Sequence, residues 1–258
     1  MLDCRDEGRG PAVLLLHGCP GNLSTFDRVF DSLRSSSRVI APALPGYHGS
    51  PALRPYDYDA ANVAVRELLR ARGIERLEGI VGFSFGTWRA LSFALSEPTP
   101  APVVCALGGF AGLTPAEQEA LRGFVPVLRG RRSNNPELRQ ILVERNLCAA
   151  HRARRPEDAR LVETWLDATT PDVIADEIDA ITRAPDLHAR LPSAQLRLFV
   201  RVGSEDVATP PEQARRMAQA SPGASLEVVP GLGHAQLIED PDGTAEWVRR
   251  AMLAKGVS

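Results

Sequence analysis

The chain has 258 residues, of which 44% are hydrophobic and 24% charged, which suits one large globular domain or a core domain with an insertion. Its formal net charge of −2, with Lys255 as the only lysine, provides no basic patch of the size that nucleic acid needs. The first residues carry charges of both signs and no apolar run could span a bilayer, so we expect a cytoplasmic protein with neither nucleic acid nor membrane as partner.

Short apolar runs, each ended by Gly or Pro, predict buried strands at 12–18, 38–46, 77–84, 101–109, 196–203 and 225–231. Segments with helical spacing lie between most of them, at 25–34, 58–72, 87–95, 211–220 and 243–254. This alternation predicts an α/β fold with a doubly wound, mostly parallel sheet.

The stretch from residue 113 to residue 191 breaks this alternation. It is rich in Arg, Glu, Asp and Ala at helical spacing and contains no convincing strand. We therefore predict a helical cap over 113–191, inserted into an α/β core formed by 1–112 and 192–258.

The sequence GIVGFSFGTWRAL, residues 79–91, places one serine between the end of a predicted strand and the start of a predicted helix. Gly82 and Gly86 lie two residues before and two residues after Ser84. A sharp turn there lifts the hydroxyl clear of the sheet and brings strand and helix together, so both flanking positions must be small. The pattern is the G-x-S-x-G nucleophile elbow, whose serine reacts once a base removes its proton.

Five histidines could supply that base. His151 and His188 lie among charged residues of the insertion, where we expect them to be solvated. His48 lies in a Gly-rich loop, and His17 ends a strand, where an imidazole usually has a structural hydrogen bond. His234 follows the last predicted strand, at the carboxyl edge of the sheet, and we predict that it is the base.

An acidic residue is needed to orient the histidine, and two candidates follow the preceding predicted strand. Glu205 and Asp206 lie in RVGSEDVATPP, and whichever is not used belongs to a surface turn. The chain order serine, acid, histidine is the one expected for a triad on this type of sheet.

The four cysteines are widely separated and form neither a C-x-x-C pair nor a Cys/His ligand spacing; they are Cys4, Cys19, Cys105 and Cys148. We therefore expect free thiols, with no metal site and no disulfide framework.

The motifs together resemble the α/β-hydrolase fold superfamily, in its branch of small capped enzymes. LLLHGCPG (14–21) is similar to the family's oxyanion loop, and VGFSFG (81–86) to its elbow. VGSEDVATP matches the family's G-x-x-D-x-x-x-P, which selects Asp206 over Glu205, and GLGHAQLIEDP matches its histidine loop. The resemblance covers nearly the whole chain and is weakest in the insertion.

The resemblance implies a role for each of these residues. Ser84 is the nucleophile, His234 the general base and then acid, and Asp206 the group that orients His234. The backbone N–H groups of Cys19 and Phe85 form the oxyanion hole, so Cys19 is expected to act through its backbone rather than as a second nucleophile. No metal and no organic cofactor is implied.

Two further expectations concern the edge of the sheet and the pocket. Few residues precede the first predicted strand, where relatives carry two extra edge strands, so we expect a shortened N-terminal edge with one strand from residues 2–5. The aromatic residues Phe83, Trp88 and Phe110 are candidates for the pocket wall, although core packing under the elbow is the favoured interpretation for Trp88.

Three functions fit these observations. The favoured one is hydrolysis of a small, mostly apolar carboxylic ester or lactone through an acyl-enzyme, by a monomer or homodimer. The second is a proline iminopeptidase-like aminopeptidase, because HGCPG is close to that group's H-G-G-P-G; it needs carboxylates for a free amine, and ADEIDA (175–180) offers candidates. The third is a non-hydrolytic small-molecule-binding protein or a biosynthetic cyclase that keeps the triad.

Overall fold

A computed structural model describes residues 1–96 and 103–254. Within them the strands are β1 (Cys4–Glu7), β2 (Ala12–Leu16), β3 (Arg38–Pro42), β4 (Gly79–Phe83), β5 (Val103–Leu107), β6 (Arg197–Gly203) and β7 (Ser225–Val229). Every strand predicted from an apolar run is present, each within the predicted range. The first two residues of the predicted strand 101–109, and the end of the predicted core after 254, lie outside the described residues.

The strands of the described residues form one seven-stranded sheet, in the order β1-β3-β2-β4-β5-β6-β7. All neighbours are parallel except β1, which pairs antiparallel with β3. An edge strand is therefore present as predicted, but it covers Cys4–Glu7 rather than residues 2–5, with Cys4 opposite Pro42. The predicted fold class is confirmed.

The described residues also form α-helices, most of which lie between strands in the chain. They are α1 (Asp27–Arg34), α2 (Tyr58–Ala71), α3 (Phe85–Leu95), α4 (Pro115–Arg122), α5 (Val125–Leu128), α6 (Pro136–Asn146), α7 (Ala149–Arg154), α8 (Ala159–Asp167), α9 (Pro171–Ile181), α10 (Pro211–Ala220), α11 (Gln236–Glu239) and α12 (Pro241–Leu253). Short 3₁₀ turns cover Leu23–Phe26, Pro156–Asp158 and His188–Ser193.

Alternate residues of the strands face two apolar layers, as the period of two along a strand requires. Leu14 and Leu16 of β2 belong to the layer that contains buried residues of α2, α3 and α10. Val13 and Leu15 belong to the layer that contains buried residues of α1 and α12. Because both faces are covered, the strands consist of nearly continuous apolar runs.

Six helices, α4 to α9, lie between β5 and β6, and residues 113–191 contain no strand. The predicted helical character of this stretch is therefore confirmed. Within it α5 packs against α9 and α6 against α8. All these helices therefore follow the carboxyl end of β5 in the chain, next to the elbow at Ser84.

Among residues 1–96 and 103–254, no helix is both long and apolar enough to cross a membrane. In the same ranges, no group of three or more His, Cys, Asp or Glu side chains is arranged to hold a metal ion.

Candidate active site

Ser84 lies at the sharp turn between β4 and α3. Its φ of 57° and ψ of −126° lie outside the regions that L-residues normally occupy. A Cβ at Gly82 would lie 2.2 Å from the Gly86 carbonyl oxygen, and one at Gly86 would lie 2.1 Å from the Leu16 carbonyl oxygen. Any larger residue would push the elbow away from the sheet, which explains why two glycines flank this serine.

His234 and Asp206 form a buried pair at the carboxyl edge of the sheet. His234 Nδ1 lies 2.8 Å from Asp206 Oδ2, and both residues are 3% exposed. The Ala208 and Thr209 backbone N–H groups donate to Asp206 Oδ1 over 2.9 and 2.8 Å, and the Thr209 hydroxyl donates to Oδ2 over 2.9 Å. Glu205 is exposed, so the structure brings the residue selected by the family motif, and not its neighbour, to the histidine.

The loop that carries His234 is held by a second carboxylate. Glu239 Oε2 accepts a hydrogen bond from the Gly233 N–H over 2.7 Å, and Oε1 accepts one from the Cys148 N–H over 2.6 Å. Since Cys148 caps α7, Glu239 joins the histidine loop to the helices between β5 and β6. The Phe83 ring lies against the imidazole of His234, with centroids 4.9 Å apart.

Ser84 and His234 line the same cavity. In the described part of the chain, the Ser84 hydroxyl and the imidazole of His234 are not joined by a hydrogen bond. Contacts of this type are often long in a free enzyme and shorten when substrate binds. The serine therefore faces the cavity beside the histidine that the predicted role requires.

Two residues that line the cavity, Cys19 and Phe85, have backbone N–H groups without a hydrogen-bond partner among the described residues. Phe85 is the first residue of α3, whose N–H has no carbonyl within the helix to bind. Cys19 follows Gly18 in the loop after β2, and its N–H is likewise free. The positions are those predicted for an oxyanion hole.

His17 has a structural task, as predicted. Its Nε2 accepts a hydrogen bond from the Leu44 N–H over 3.0 Å, and its Nδ1 lies 2.8 Å from the Gly18 carbonyl oxygen. Burial lowers the pKa of His17 to about 3, so the ring is neutral and can donate at one nitrogen while accepting at the other. His17 thereby joins the loop after β2 to the loop after β3.

A buried ion pair lies beneath the Cys19 loop. Arg89 of α3 lies 2.5 Å from Glu177 of α9, and these residues are 2% and 0% exposed. The Tyr47 hydroxyl donates to Glu177 over 2.6 Å and lies 3.4 Å from Cys19 Sγ. Burial and the charge of Glu177 raise the pKa of Cys19, so its thiol is neutral and unsuited to act as a nucleophile.

Replacing Glu177 by leucine is expected to destabilise the protein by about 3 to 5 kcal/mol, because Arg89 then remains buried with an uncompensated charge. Adding Arg89→Met should restore much of the lost stability, since an apolar pair removes that charge. Urea denaturation measures both effects. As a control, Glu246→Ala breaks the exposed pair with Arg249 and should cost less than about 1 kcal/mol. A cost equally small for Glu177→Leu would contradict this account.

The cavity has a volume of about 120 Å³ and an apolar wall. Helices of the 113–191 stretch supply most of this wall, through Leu121, Phe124, Val127, Leu128, Leu138, Ile141, Leu142, Leu166, Ile174 and Ile178. Phe83 and Phe85 line it from the elbow. Among the described lining residues, Arg145 is the only Arg, Lys, Asp or Glu.

Trp88 and Phe110 are not among the described residues that line this cavity, which corrects their assignment as pocket candidates. For Trp88 the structure agrees with core packing, the favoured interpretation. Trp88 Nε1 donates to the Pro185 carbonyl oxygen over 3.1 Å, and its ring meets that of Tyr58, with centroids 5.0 Å apart. Phe110 packs edge-on against Phe85, with centroids 5.6 Å apart. Both rings therefore lie in the core behind the residues that reach the cavity.

His151 also differs from the prediction that it is solvated. It is 3% exposed, and its Nε2 lies 2.9 Å from Asp158 Oδ2. The same carboxylate binds Arg28 of α1, so the pair belongs to the packing of the inserted helices on the core. His188 is half-buried rather than solvated, and its Nδ1 lies 2.5 Å from Asp186 Oδ1.

Comparison with known proteins agrees with this geometry. The model of the alpha/beta hydrolase family matches residues 13–247. The chain belongs to the alpha/beta hydrolase family. This hydrolase is 27% identical over 249 residues to the pimeloyl-[acyl-carrier protein] methyl ester esterase of Neisseria meningitidis serogroup C, a match that covers 92% of the chain and 91% of that relative.

Solved structures show the same fold. A thermophilic esterase from Thermogutta terrifontis aligns with a TM-score of 0.86 at 24% identity, covering 97% of this chain and 94% of that one. The enol-lactonase from Burkholderia xenovorans LB400 aligns with a TM-score of 0.86 at 21% identity, covering 98% and 96%. The family and its named esterases make this hydrolase an enzyme.

Sequence reasoning missed Thr209 and the Arg89–Glu177 pair. A signal for Thr209 exists, because a Thr or Ser shortly after an Asp in a turn commonly hydrogen-bonds to it. No local signal exists for Arg89 and Glu177, which are 88 positions apart.

Proposed function

We propose that this enzyme hydrolyses small, mostly apolar carboxylic esters or lactones through an acyl-enzyme on Ser84. The observation that carries the proposal is the buried pair of His234 and Asp206, with Nδ1 and Oδ2 2.8 Å apart, in the cavity that Ser84 also lines. A histidine held by a carboxylate can remove the serine proton, and the elbow presents that serine to substrate.

The proposed reaction has two halves. Ser84 Oγ attacks the carbonyl carbon while His234 Nε2 takes its proton, and the N–H groups of Cys19 and Phe85 donate to the oxyanion. His234 then protonates the leaving alcohol, which departs and leaves the acyl group on Ser84. Water then attacks the ester carbonyl while His234 takes one of its protons; the bond to Ser84 Oγ breaks, His234 returns the proton to Oγ, and the acid is released.

Helices α4 to α9 are proposed to act as a cap domain over 113–191, on a core of 1–112 and 192–258. Their apolar side chains form most of the wall opposite Ser84. An apolar cavity of about 150 Å³ accommodates benzene, so the volume of about 120 Å³ favours a short acyl group. This group of helices would therefore determine which acyl groups fit.

The charges around the cavity favour ester hydrolysis over the aminopeptidase alternative. A free α-ammonium needs a carboxylate, yet no Asp or Glu is among the described lining residues. The candidate carboxylates of ADEIDA are engaged elsewhere: Glu177 binds Arg89, while Asp176 and Asp179 bind Arg129. Arg145, the one Arg, Lys, Asp or Glu among the described lining residues, would repel an ammonium group.

The named relatives also support the proposal. A methyl ester esterase, an esterase and an enol-lactonase are, by their names, enzymes of ester and lactone bonds. The proposed reaction requires only groups of this chain and water.

A substrate panel tests the proposal. We expect measurable hydrolysis of short p-nitrophenyl esters or of small lactones, rates that fall as the acyl chain outgrows the cavity, and negligible cleavage of proline p-nitroanilide. Release of nitrophenol or nitroaniline, and acid release from the lactones, are the measurements. Selective cleavage of the proline amide would instead establish the aminopeptidase. Ligand binding without turnover of any panel member would favour a non-hydrolytic protein.

A further inference from the structure

Arg145 is a half-buried cation in the last turn of α6 that the proposed reaction does not use. It lines the cavity, and its guanidinium carbon lies 4.9 Å from the centre of the Phe124 ring. Among the residues that the structure describes, it has neither an ion-pair partner nor a hydrogen-bond acceptor.

Arg145 is unusual among the arginines of this region. Between residues 113 and 191, every other half-buried arginine has a partner: Arg131 binds Glu137, Arg139 binds Asp167, and Arg152 donates to two backbone carbonyl oxygens. The arginines there without a partner, Arg132, Arg154 and Arg183, are exposed. Among the half-buried arginines of this stretch, Arg145 alone has no ion pair and no hydrogen-bond acceptor, and only the Phe124 ring lies against its guanidinium.

Partial removal of this guanidinium from water is energetically unfavourable. Burial lowers the pKa of Arg145, and the negative charge of Asp206 acts in the opposite direction. A guanidinium nevertheless stays protonated, so its desolvation is not relieved by loss of a proton. An anion that enters the cavity would gain a partner that is already positioned and partly desolvated.

The position of Arg145 determines where such an anion would lie relative to Ser84 and His234. Arg145 and His234 both line the inner cavity and also a second, outer groove, which runs past Cys148 and Gly231. Arg145 and His234 therefore both lie where the cavity meets the groove. A substrate whose ester lies at Ser84 could direct its far end to this point.

We propose that Arg145 binds a free carboxylate on the substrate, so that preferred substrates are esters whose acid part carries a second carboxyl group. The inference rests on the proposed ester hydrolysis. A carboxylate fits better than a phosphate because its single negative charge is matched by one guanidinium through two parallel hydrogen bonds. A phosphate group carries about −1.5 to −2 charge at pH 7, and the described lining residues include no second Arg or Lys to balance it.

A matched pair of methyl esters tests this inference. Monomethyl glutarate and methyl pentanoate have acyl chains of equal length that end in a carboxylate and in a methyl group. The wild-type enzyme should prefer monomethyl glutarate. Arg145→Met should lower kcat/KM for monomethyl glutarate about tenfold or more, mainly through KM, and leave methyl pentanoate little changed. Methanol release, followed by NMR, gives both rates.

Two further variants separate recognition from structure. Arg145→Lys should recover part of the preference, because it keeps the charge but not the bidentate geometry. Arg139→Met, on the same helix but outside the cavity lining, should change neither substrate's kcat/KM. Equal losses for both esters in Arg145→Met, or no preference in the wild type, would overturn the inference.

Binding measurements test the carboxylate site independently of ester hydrolysis. In a Ser84→Ala background, calorimetry should show tighter binding of monomethyl glutarate than of methyl pentanoate, and Arg145→Met should remove the difference. Preferential binding that depends on Arg145, with no hydrolysis of either ester by the wild type, would support the carboxylate site and refute ester hydrolysis. Hydrolysis with no such preference would refute the carboxylate site alone.

Discussion

Ser84→Ala is expected to lower kcat for the best ester by about 10⁴- to 10⁶-fold, because no other group at the elbow can form the acyl-enzyme. The residual rate would come from substrate binding and from the backbone N–H groups of Cys19 and Phe85. Hydrolysis assays measure the loss. In parallel, a fluorophosphonate probe should add one label to the wild-type protein, detected by intact mass, and none to the variant.

Ser92→Ala is the matched control for that variant. Ser92 also lies on α3 and is 8% exposed, but it accepts a hydrogen bond from Asn62 rather than facing the cavity. Its removal should cost a little stability and leave both labelling and turnover nearly unchanged. Stoichiometric labelling of Ser84→Ala, or an equal loss in both variants, would show that another residue is the nucleophile.

The fold could be predicted because its signals are local. Buried parallel strands such as β4 and β5 are continuous apolar runs, and their ends are set by glycine or proline a few residues away. The signal for the elbow is equally local, because Gly82 and Gly86 lie within five residues and indicate the close packing around Ser84. Such patterns can be recognised in the sequence without knowledge of contacts between distant residues.

Features that depend on distant partners could not be predicted. Arg89 pairs with Glu177 across 88 positions. Arg145 is distinctive only because no acidic residue in the described part of the chain forms an ion pair with it. The exposure of a histidine depends in the same way on its surroundings. His151 shows this, because its charged sequence neighbours do not indicate that it is buried beside Asp158. A charged segment can therefore bury one of its members wherever a partner such as Asp158 is available.

The sequence could not assign the aromatic residues near the elbow to cavity or core, for a different reason. Phe83, Trp88 and Phe110 are all apolar and close to Ser84 in sequence or in the sheet, so composition cannot rank them. The structure separates them by direction: Phe83 faces the cavity, while the Nε1 of Trp88 is directed to a backbone carbonyl at Pro185. Buried Trp residues usually satisfy their N–H in this way, and here that contact draws the ring into the core.

The hydrogen bonds around Asp206 explain why its replacement should change which ring nitrogen of His234 carries the proton. The carboxylate accepts bonds from Ala208 and Thr209 while Oδ2 lies 2.8 Å from His234 Nδ1. Both its oxygens are acceptors, which keeps the proton of the neutral ring on Nδ1 and leaves Nε2 free to act as base. An asparagine has one acceptor and one donor, and its oxygen would remain with the two backbone N–H groups. Its NH₂ would then face Nδ1 and move the proton to Nε2.

Asp206→Asn is therefore expected to lower kcat by about 10⁴-fold with little change in KM, because an Nε2–H imidazole cannot take the Ser84 proton. Fluorophosphonate labelling should slow in proportion, since it requires the same base. Ester hydrolysis and the labelling rate are the measurements. Glu205→Gln is the matched control: it lies one position earlier on the exposed side of the turn and should leave both rates nearly unchanged. A large loss in Glu205→Gln with Asp206→Asn active would show that the acid has been assigned one residue too late.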